Sequence, residues 1–158
     1  MPLAQPDSFL SKLRTALETT DNRGILLTGN SGIELESDDV ILAVKAAPHS
    51  RLLPRVKGVI HHGGVGTMAA ALRAGKPQVI MPFSVDQPFW AKRLHQLGYS
   101  LKPMRERDAT AATLAEAFRE MDDPNAIRRA EEIAEIIRNE NAAAKTVEYL
   151  STMVEQSR

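Results

Sequence analysis

The sequence alternates between short apolar runs and longer stretches in which apolar residues recur at helical spacing. Four short runs, at 24–28, 40–44, 58–62 and 78–81, have the length and aliphatic composition of buried strands. Helical spacing begins at Pro6, before the first run, and follows the third and fourth runs. This alternation predicts an α/β fold, in which helices flank a parallel sheet.

Composition limits what the chain can do. A length of 158 residues suits one ordinary domain, so we expect a single domain over 1–158. Twenty basic and twenty acidic side chains leave no net charge to attract nucleic acid or an anionic membrane. The chain has no cysteine, which fits a reducing cytoplasm, and we expect neither a signal peptide nor a transmembrane segment.

A glycine turn follows the third apolar run. This run leads into Gly63, Gly64, Val65 and Gly66, and residues 67–74 are then rich in helix formers. A strand that feeds a helix through such a turn leaves the first helical N–H groups unpaired at the positive end of the helix dipole. Glycine also lets a phosphate approach the backbone without meeting a Cβ atom. The turn therefore predicts an anion site, to which Thr67 can add a hydroxyl.

Two histidines precede the turn. Successive side chains of a strand point to opposite faces, so His61 and His62 cannot both face one pocket. We place His62 against the phosphate, where its imidazole can donate a hydrogen bond to a phosphate oxygen. The alternative is that these histidines are buried strand ends with satisfied hydrogen bonds, and that interpretation suits His61 better.

A second polar cluster follows the fourth run. Residues 82–90 emerge at the same carboxyl edge of a parallel sheet as the glycine turn. Asp86 and Gln87 should therefore lie near the phosphate, where a carboxylate beside an amide can hydrogen-bond the hydroxyls of a sugar. The alternative is that Asp86 only caps its helix. For Phe89 and Trp90 we expect packing in the core or in an interface.

The segment HHGGVGTMAAALRAGKPQVIMPFSVDQPFWAKRLHQLG resembles the donor-binding domain of family 1 glycosyltransferases, above all the bacterial antibiotic-modifying and sterol-type enzymes. The resemblance runs from Gly24 to the last helix. It implies the C-terminal, Rossmann-like half of a GT-B fold that holds a UDP- or dTDP-hexose without a metal ion or another cofactor. A separate domain or subunit would bind the acceptor.

The same resemblance implies a role for individual residues. His62, Gly63, Gly64, Gly66 and Thr67 would bind the diphosphate, and Asp86 and Gln87 the sugar hydroxyls, while Ala47, Pro48 and His49 would lie along the base.

Two departures concern the nucleoside. Plant relatives stack a tryptophan on the uracil, and the corresponding place near Ala46 has no aromatic ring. Their ribose-binding glutamate corresponds to Ala70, which cannot accept a hydrogen bond from its side chain. The grip on base and ribose should therefore be weaker, and both uridine and thymidine remain open.

The third departure is at the front of the domain. Family members begin it with a strand that ends in a Gly-Ser turn, and we expect that Met1 starts just after this strand. The family's general-base histidine belongs to the acceptor domain, and none of the four histidines matches it. We therefore expect no catalytic residue in this chain, with His62 only stabilising the leaving group, and no complete transfer by this chain alone.

Three hypotheses remain at this point. The first is the donor-binding domain of an inverting glycosyltransferase. The second is a non-catalytic interaction module or subunit that pairs through an exposed sheet edge, for example as a homodimer. The third is a nucleotide-sugar epimerase, for which the general acid and base are not visible in the sequence.

Overall fold

The computed structural model describes residues 5–29, 31 and 33–156. The described residues form an α/β fold of short parallel strands and flanking helices, as the sequence predicts. In chain order the elements are α1 (Pro6–Thr19), β1 (Gly24–Leu27), β2 (Ile41–Val44), α2 (His49–Leu52), β3 (Val59–His61), α3 (Val65–Ala74), β4 (Gln78–Ile80), α4 (Gln87–Gln96), α5 (Ala111–Glu120), α6 (Pro124–Asn139) and α7 (Ala142–Gln156).

Two helices differ from the expected pattern. Helix α3 begins at Val65, two residues before the expected start, so Gly66 belongs to its first turn. The Asp123-Pro124 pair in the sequence also predicts the start of one last long helix. In the structure that helix ends at Asn139 and is followed by α7. The Asn141 side chain accepts a hydrogen bond from the Ala144 N–H at 3.1 Å. An asparagine that caps a new first turn explains why one helix becomes two.

The four strands form two parallel pairs rather than one continuous sheet. Strand β1 pairs with β2, and Gly24 lies opposite Ile41. Strand β3 pairs with β4, and Val59 lies opposite Gln78. Within the described residues no backbone hydrogen-bond ladder joins β1 to β3, so the two pairs are separate sheets.

The outer edge of each pair is covered by neighbouring chain. The Ser37 Oγ accepts from the Ala43 N–H at 3.0 Å, and the Asp38 N–H donates to the carbonyl of Ile41 at 3.0 Å, which covers β2. The N–H groups of Leu101 and Met104 donate to carbonyls of β4 at 2.9 and 3.1 Å. The inner edges, on β1 and β3, are therefore the ones that face each other.

The two pairs lie side by side and point the same way. Lys57, just before β3, donates from Nζ to the Oδ1 of Asn22, just before β1, at 2.8 Å. Leu26 of β1 and Ile60 of β3 pack against one hydrophobic cluster. Helices α1 and α5 contact each other over this cluster. The carboxyl ends of all four strands therefore lie on one side, which positions the candidate site. No described helix is both long and apolar enough to span a bilayer.

Candidate anion-binding site at the glycine turn

Strand β3 meets helix α3 through a tight turn that only glycine suits. Gly63 has a φ of +90°, in the region that residues with a side chain rarely adopt. A Cβ atom at Gly63 would stand 2.8 Å from Cγ2 of the buried Ile80. Both the backbone conformation and the packing on β4 therefore require glycine here.

Four backbone amides at the start of α3 have no acceptor among the described residues. They belong to Gly64, Val65, Gly66 and Thr67, and the first amide bonded to the turn is that of Met68, which donates to the Gly64 carbonyl at 2.9 Å. A ten-residue helix adds the positive end of its dipole at this point. These four amides, which we call the cradle, can bind an anion.

The cradle is open to an approaching ligand. A Cβ atom at Gly66 would meet nothing within 4 Å, and both Val65 and Gly66 are exposed. The Thr67 side chain is half-buried beside these amides. An anion can therefore reach the backbone directly over Gly66.

Gly63 does not belong to the cradle. Its N–H donates to Nδ1 of His61 at 3.0 Å, so this donor points into the protein. The resemblance implies that Gly63 binds the diphosphate, but in the structure the outward amides begin at Gly64. The part of Gly63 in the geometry is to shape the turn.

The two histidines have separate environments. His61 is buried and both ring nitrogens are bonded, Nδ1 to Gly63 and Nε2 to the Oε1 of Gln78 at 2.8 Å, which confirms the expectation of a satisfied buried histidine. Burial lowers the pKa of His61, and its hydrogen bond to the Oε1 of Gln78 opposes that shift. His62 is exposed, and its Nε2 lies 2.6 Å from where a Cβ of Gly64 would stand. The imidazole of His62 therefore lies beside the cradle.

Desolvation also lowers the pKa of His62 below its ordinary value of 6.5. The ring is therefore neutral at pH 7 and offers one N–H donor together with one acceptor. Near the cradle such a ring adds a hydrogen bond to an anion without a full positive charge.

Gln87 lies against the glycine turn, as the shared carboxyl edge predicts. A Cβ atom at Gly63 would stand 3.4 Å from Cβ of Gln87. The Oε1 of Gln87 accepts from the N–H groups of Phe83 and Ser84, at 2.9 and 3.3 Å. Gln87 therefore holds the loop after β4 in place, a structural part that the sequence did not indicate.

Asp86 stands at the N-terminus of α4, but its side chain makes no capping hydrogen bond. Its Oδ2 accepts from the indole N–H of Trp90 at 3.0 Å. The capping alternative is therefore not what the structure shows. Trp90 packs half-buried on a hydrophobic cluster, as expected, whereas Phe89 is 63% exposed and meets the Trp90 ring edge-on.

Val85, which the sequence did not single out, is strained. Its φ is +60°, unusual for a β-branched residue, and its side chain is 92% exposed. Strained backbone often occurs at functional sites, where the surrounding structure holds it. Here the Gln87 side chain provides that restraint from within the same loop.

The segment expected along the base follows β2. Ala47 and His49 are half-buried, and Pro48 precedes α2, which contacts α3. The charge of His49 adds a small part to the lowering of the pKa of His61, after burial and His62. These residues therefore lie on the same side of the molecule as the cradle.

The surroundings of the cradle are open rather than enclosed. A cleft of about 600 Å³ lies farther along the carboxyl edge, between the start of α1 and Pro82–Phe83, with Lys12 and Arg105 among its lining residues. Within residues 5–29, 31 and 33–156, no group of three or more His, Asp or Glu side chains could hold a metal ion.

The sequence is similar to known glycosyltransferases. The family described as "Erythromycin biosynthesis protein CIII-like, C-terminal domain" matches residues 26–155. The sterol 3-beta-glucosyltransferase UGT80A2 of Arabidopsis thaliana is 35% identical over 93% of this chain and 23% of its own length. The O-mycaminosyltylonolide 6-deoxyallosyltransferase of Streptomyces fradiae is 38% identical over 85% of this chain and 31% of its own. The chain thus spans about a quarter to a third of these relatives.

Solved structures agree with this assignment. The glycosyltransferase VinC in complex with DTDP superposes with a TM-score of 0.77 at 27% identity, over 93% of this chain and 38% of VinC. The calicheamicin glycosyltransferase CalG4 shares the fold, with a TM-score of 0.83 at 19% identity, over 97% of this chain and 40% of CalG4. The chain is a glycosyltransferase C-terminal domain of the GT-B type and belongs to the family of erythromycin biosynthesis protein CIII-like C-terminal domains.

Proposed function

We propose that this domain binds the diphosphate of a nucleotide sugar at the cradle and serves as the donor-binding half of an inverting glycosyltransferase. The observation that carries the proposal is the set of four amides, Gly64 to Thr67, which are unpaired in the described structure and open to solvent over Gly66.

The chemistry follows from the fixed direction of these donors. As the bond between sugar and diphosphate breaks, negative charge grows on the leaving nucleoside diphosphate. Amides that a helix already orients stabilise that charge without first having to reorganise. The His62 ring adds one more donor, and in this proposal the amides and the helix dipole take the place of a metal ion.

In this proposal Asp86 and Gln87 bind the sugar. Gln87 lies close to the glycine turn, and Asp86 beside it is exposed. In this proposal the Asp86 carboxylate accepts hydrogen bonds from vicinal hydroxyls of a hexose. Ala47 and His49 lie along the base, with either uridine or thymidine as the nucleoside.

The relatives support a nucleoside diphosphate ligand. The solved VinC complex contains DTDP, and the sterol and deoxyallosyl transferases among the relatives act on sugars by name. Transfer also needs a base within reach of the attacking hydroxyl. We therefore propose that a separate acceptor-binding domain or subunit supplies this base.

A chain without cysteine suits a reducing compartment such as the cytoplasm.

Calorimetric titration tests the proposal. The unmodified protein is titrated separately with UDP, dTDP and UDP-glucose, each ligand at millimolar concentration. Inorganic phosphate is the control for nonspecific anion binding. We expect saturable heat with at least one nucleoside diphosphate and much weaker binding of phosphate. The absence of heat with every nucleotide would overturn the proposal.

One observation favours a second candidate, an interaction module. The inner edges of β1 and β3 face each other but are not joined in the described structure, which leaves room in this candidate for a strand of another chain to pair between them. Ile25 and Leu42, which are register partners on β1 and β2, are also 43% and 49% exposed. Light scattering separates the candidates, because a dimer that ignores nucleotides would favour the module.

A further inference from the structure

We propose that His61 is a positioning residue: its ring, wedged between the Gly63 amide and the Gln78 side chain, fixes the turn so that the next four amides face outward. The inference deepens the proposed function, and its effect on nucleotide binding rests on that function. The arrangement of the ring can be tested without any ligand.

The hydrogen bonds around His61 form a chain whose direction is fixed at both ends. At one end the Gly63 N–H can only donate, so Nδ1 of His61 accepts, at 3.0 Å. At the other end the Tyr99 carbonyl can only accept, so the Gln78 amide nitrogen donates to it, at 3.2 Å. Between them, Nε2 of His61 and Oε1 of Gln78 are 2.8 Å apart.

Only one state of the imidazole satisfies this chain. The ring must be neutral, with its proton on Nε2, because Nδ1 has to keep a lone pair for Gly63. A proton on Nδ1 would set two donors against each other at 3.0 Å. The buried position of His61 favours the neutral ring as well.

The chain anchors the turn to rigid parts of the fold. Gln78 is completely buried in β4, and its backbone carbonyl accepts from the Leu101 N–H at 2.9 Å. Gly63 is buried too, with its Cα packed toward Ile80. Without the ring acceptor, a buried amide would have no partner, and the turn would have to rearrange to find one. Such a rearrangement would redirect the cradle.

Two variants separate the two sides of the ring. In His61→Asn the amide oxygen can take the place of Nδ1 and accept from Gly63, but the side chain is too short to reach Gln78. In His61→Gln the amide can take the place of Nε2 and keep the link to Gln78, but no acceptor stands beside Gly63. The variants therefore exchange which bond is kept.

Affinity and stability are measured together. We expect His61→Gln to bind UDP at least about tenfold more weakly, and His61→Asn to stay within about threefold of the unmodified protein. A residue that only supports the fold would lower affinity in step with thermal stability in both variants. Wild-type affinity in a folded His61→Gln protein would overturn the inference.

A measurement without ligand tests the inference even if the variants do not fold or the unmodified protein binds no nucleotide. Nitrogen-15 NMR of the histidine rings in the unmodified protein should show His61 with a bare Nδ1 and a protonated Nε2 at pH 7. Protonation at Nδ1 would overturn the inference even if no variant folds. If the unmodified protein binds no nucleotide, the proposed function fails, and this spectrum still decides the state of His61.

Discussion

Gly63 and Gln87 are neighbours at the carboxyl edge of β3 and β4, where a Cβ on Gly63 would stand 3.4 Å from Cβ of Gln87. This proximity brings together the two loops in which the sequence predicts the site. The turn exposes its amides from Gly64 onward, and the Gln87 oxygen holds the loop that presents Asp86. A diphosphate on one loop and a sugar on the other would therefore be neighbours.

Gly66→Ala should separate binding from stability. A methyl group at this position meets nothing within 4 Å, and alanine favours a helix over glycine, so the free energy of unfolding should rise by about 0.5 kcal/mol. The same methyl group stands where an anion would approach the backbone, and UDP affinity should fall about tenfold. Chemical denaturation and calorimetry check the two effects.

Gly75→Ala is the matched control for that variant. Gly75 ends α3 with a φ of +67°, and its Cβ would stand 3.2 Å from Cβ of Ala134. We expect this change to lower the free energy of unfolding by about 1 kcal/mol while UDP affinity stays unchanged in the folded protein. Equal losses of affinity in both glycine variants would argue against the open approach over Gly66.

His62→Ala should weaken nucleotide binding without unfolding the protein. The exposed ring makes no hydrogen bond with another described residue, so thermal stability should change little. Loss of one donor to the diphosphate should lower UDP affinity about tenfold. His62→Gln, which retains an amide donor, should recover part of that loss in the same titration. Unchanged affinity in the alanine variant would remove His62 from the site.

Asp86→Asn should affect the sugar and not the diphosphate. The carboxylate is the acceptor proposed for sugar hydroxyls, so UDP-glucose affinity should fall about tenfold while UDP affinity stays the same. Trp90→Phe serves as the control. It removes the indole N–H that bonds to Asp86 but leaves the Asp86 carboxylate and an aromatic ring in place. If UDP and UDP-glucose weaken together in the asparagine variant, Asp86 does not act on the sugar.

The pH dependence of stability should report on His61. Its folded pKa lies below the ordinary value of 6.5, so the unfolded chain binds more protons just below that pH. The stability associated with the neutral ring is therefore complete above about pH 6.5 and is lost as the pH falls through the folded pKa. Urea denaturation between pH 7.5 and 5.5 should show this decline, with a shallower slope in His61→Asn. Equal slopes in the unmodified protein and in His61→Asn would contradict the assignment of this decline to His61.

Val85→Gly should relieve strain in the loop after β4. A β-branched residue at a φ of +60° costs about 1–2 kcal/mol, and glycine removes that strain. Glycine also has a greater entropy in the unfolded state, which lowers the free energy of unfolding by about 0.5–1 kcal/mol. We expect a net gain of roughly 0.5–1 kcal/mol in the free energy of unfolding. The same change at Val147, exposed within α7, should instead destabilise the protein. A destabilised Val85→Gly would mean that the valine makes contacts that outweigh the strain.

Much of the fold follows from local sequence signals. The strand runs appear as the sequence predicts, and the glycine stop at Gly75 and the Thr110 cap of α5 are local signals of the same kind, because each depends on residues close in the chain. The pairing of strands is different. Whether β1 and β3 are joined depends on residues distant in sequence, and the apolar runs contain no signal for the separation into two pairs.

The candidate site shows the same division. The cradle and its proximity to Gln87 follow from a glycine turn and from the common edge of parallel strands. The direction of the Gly63 amide does not, because it depends on a hydrogen bond to a ring two residues earlier. One signal was present in Gln78, a polar residue that opens an apolar run and that a buried strand tolerates only with partners.

Amide NMR during a UDP titration tests the central claim most directly, because it observes each backbone N–H by itself. The account predicts the largest saturable shifts at Gly64, Val65, Gly66 and Thr67, and a small shift at Gly63, whose N–H already donates to His61. Saturable shifts that leave these four amides unmoved, or no shifts at all, would contradict it.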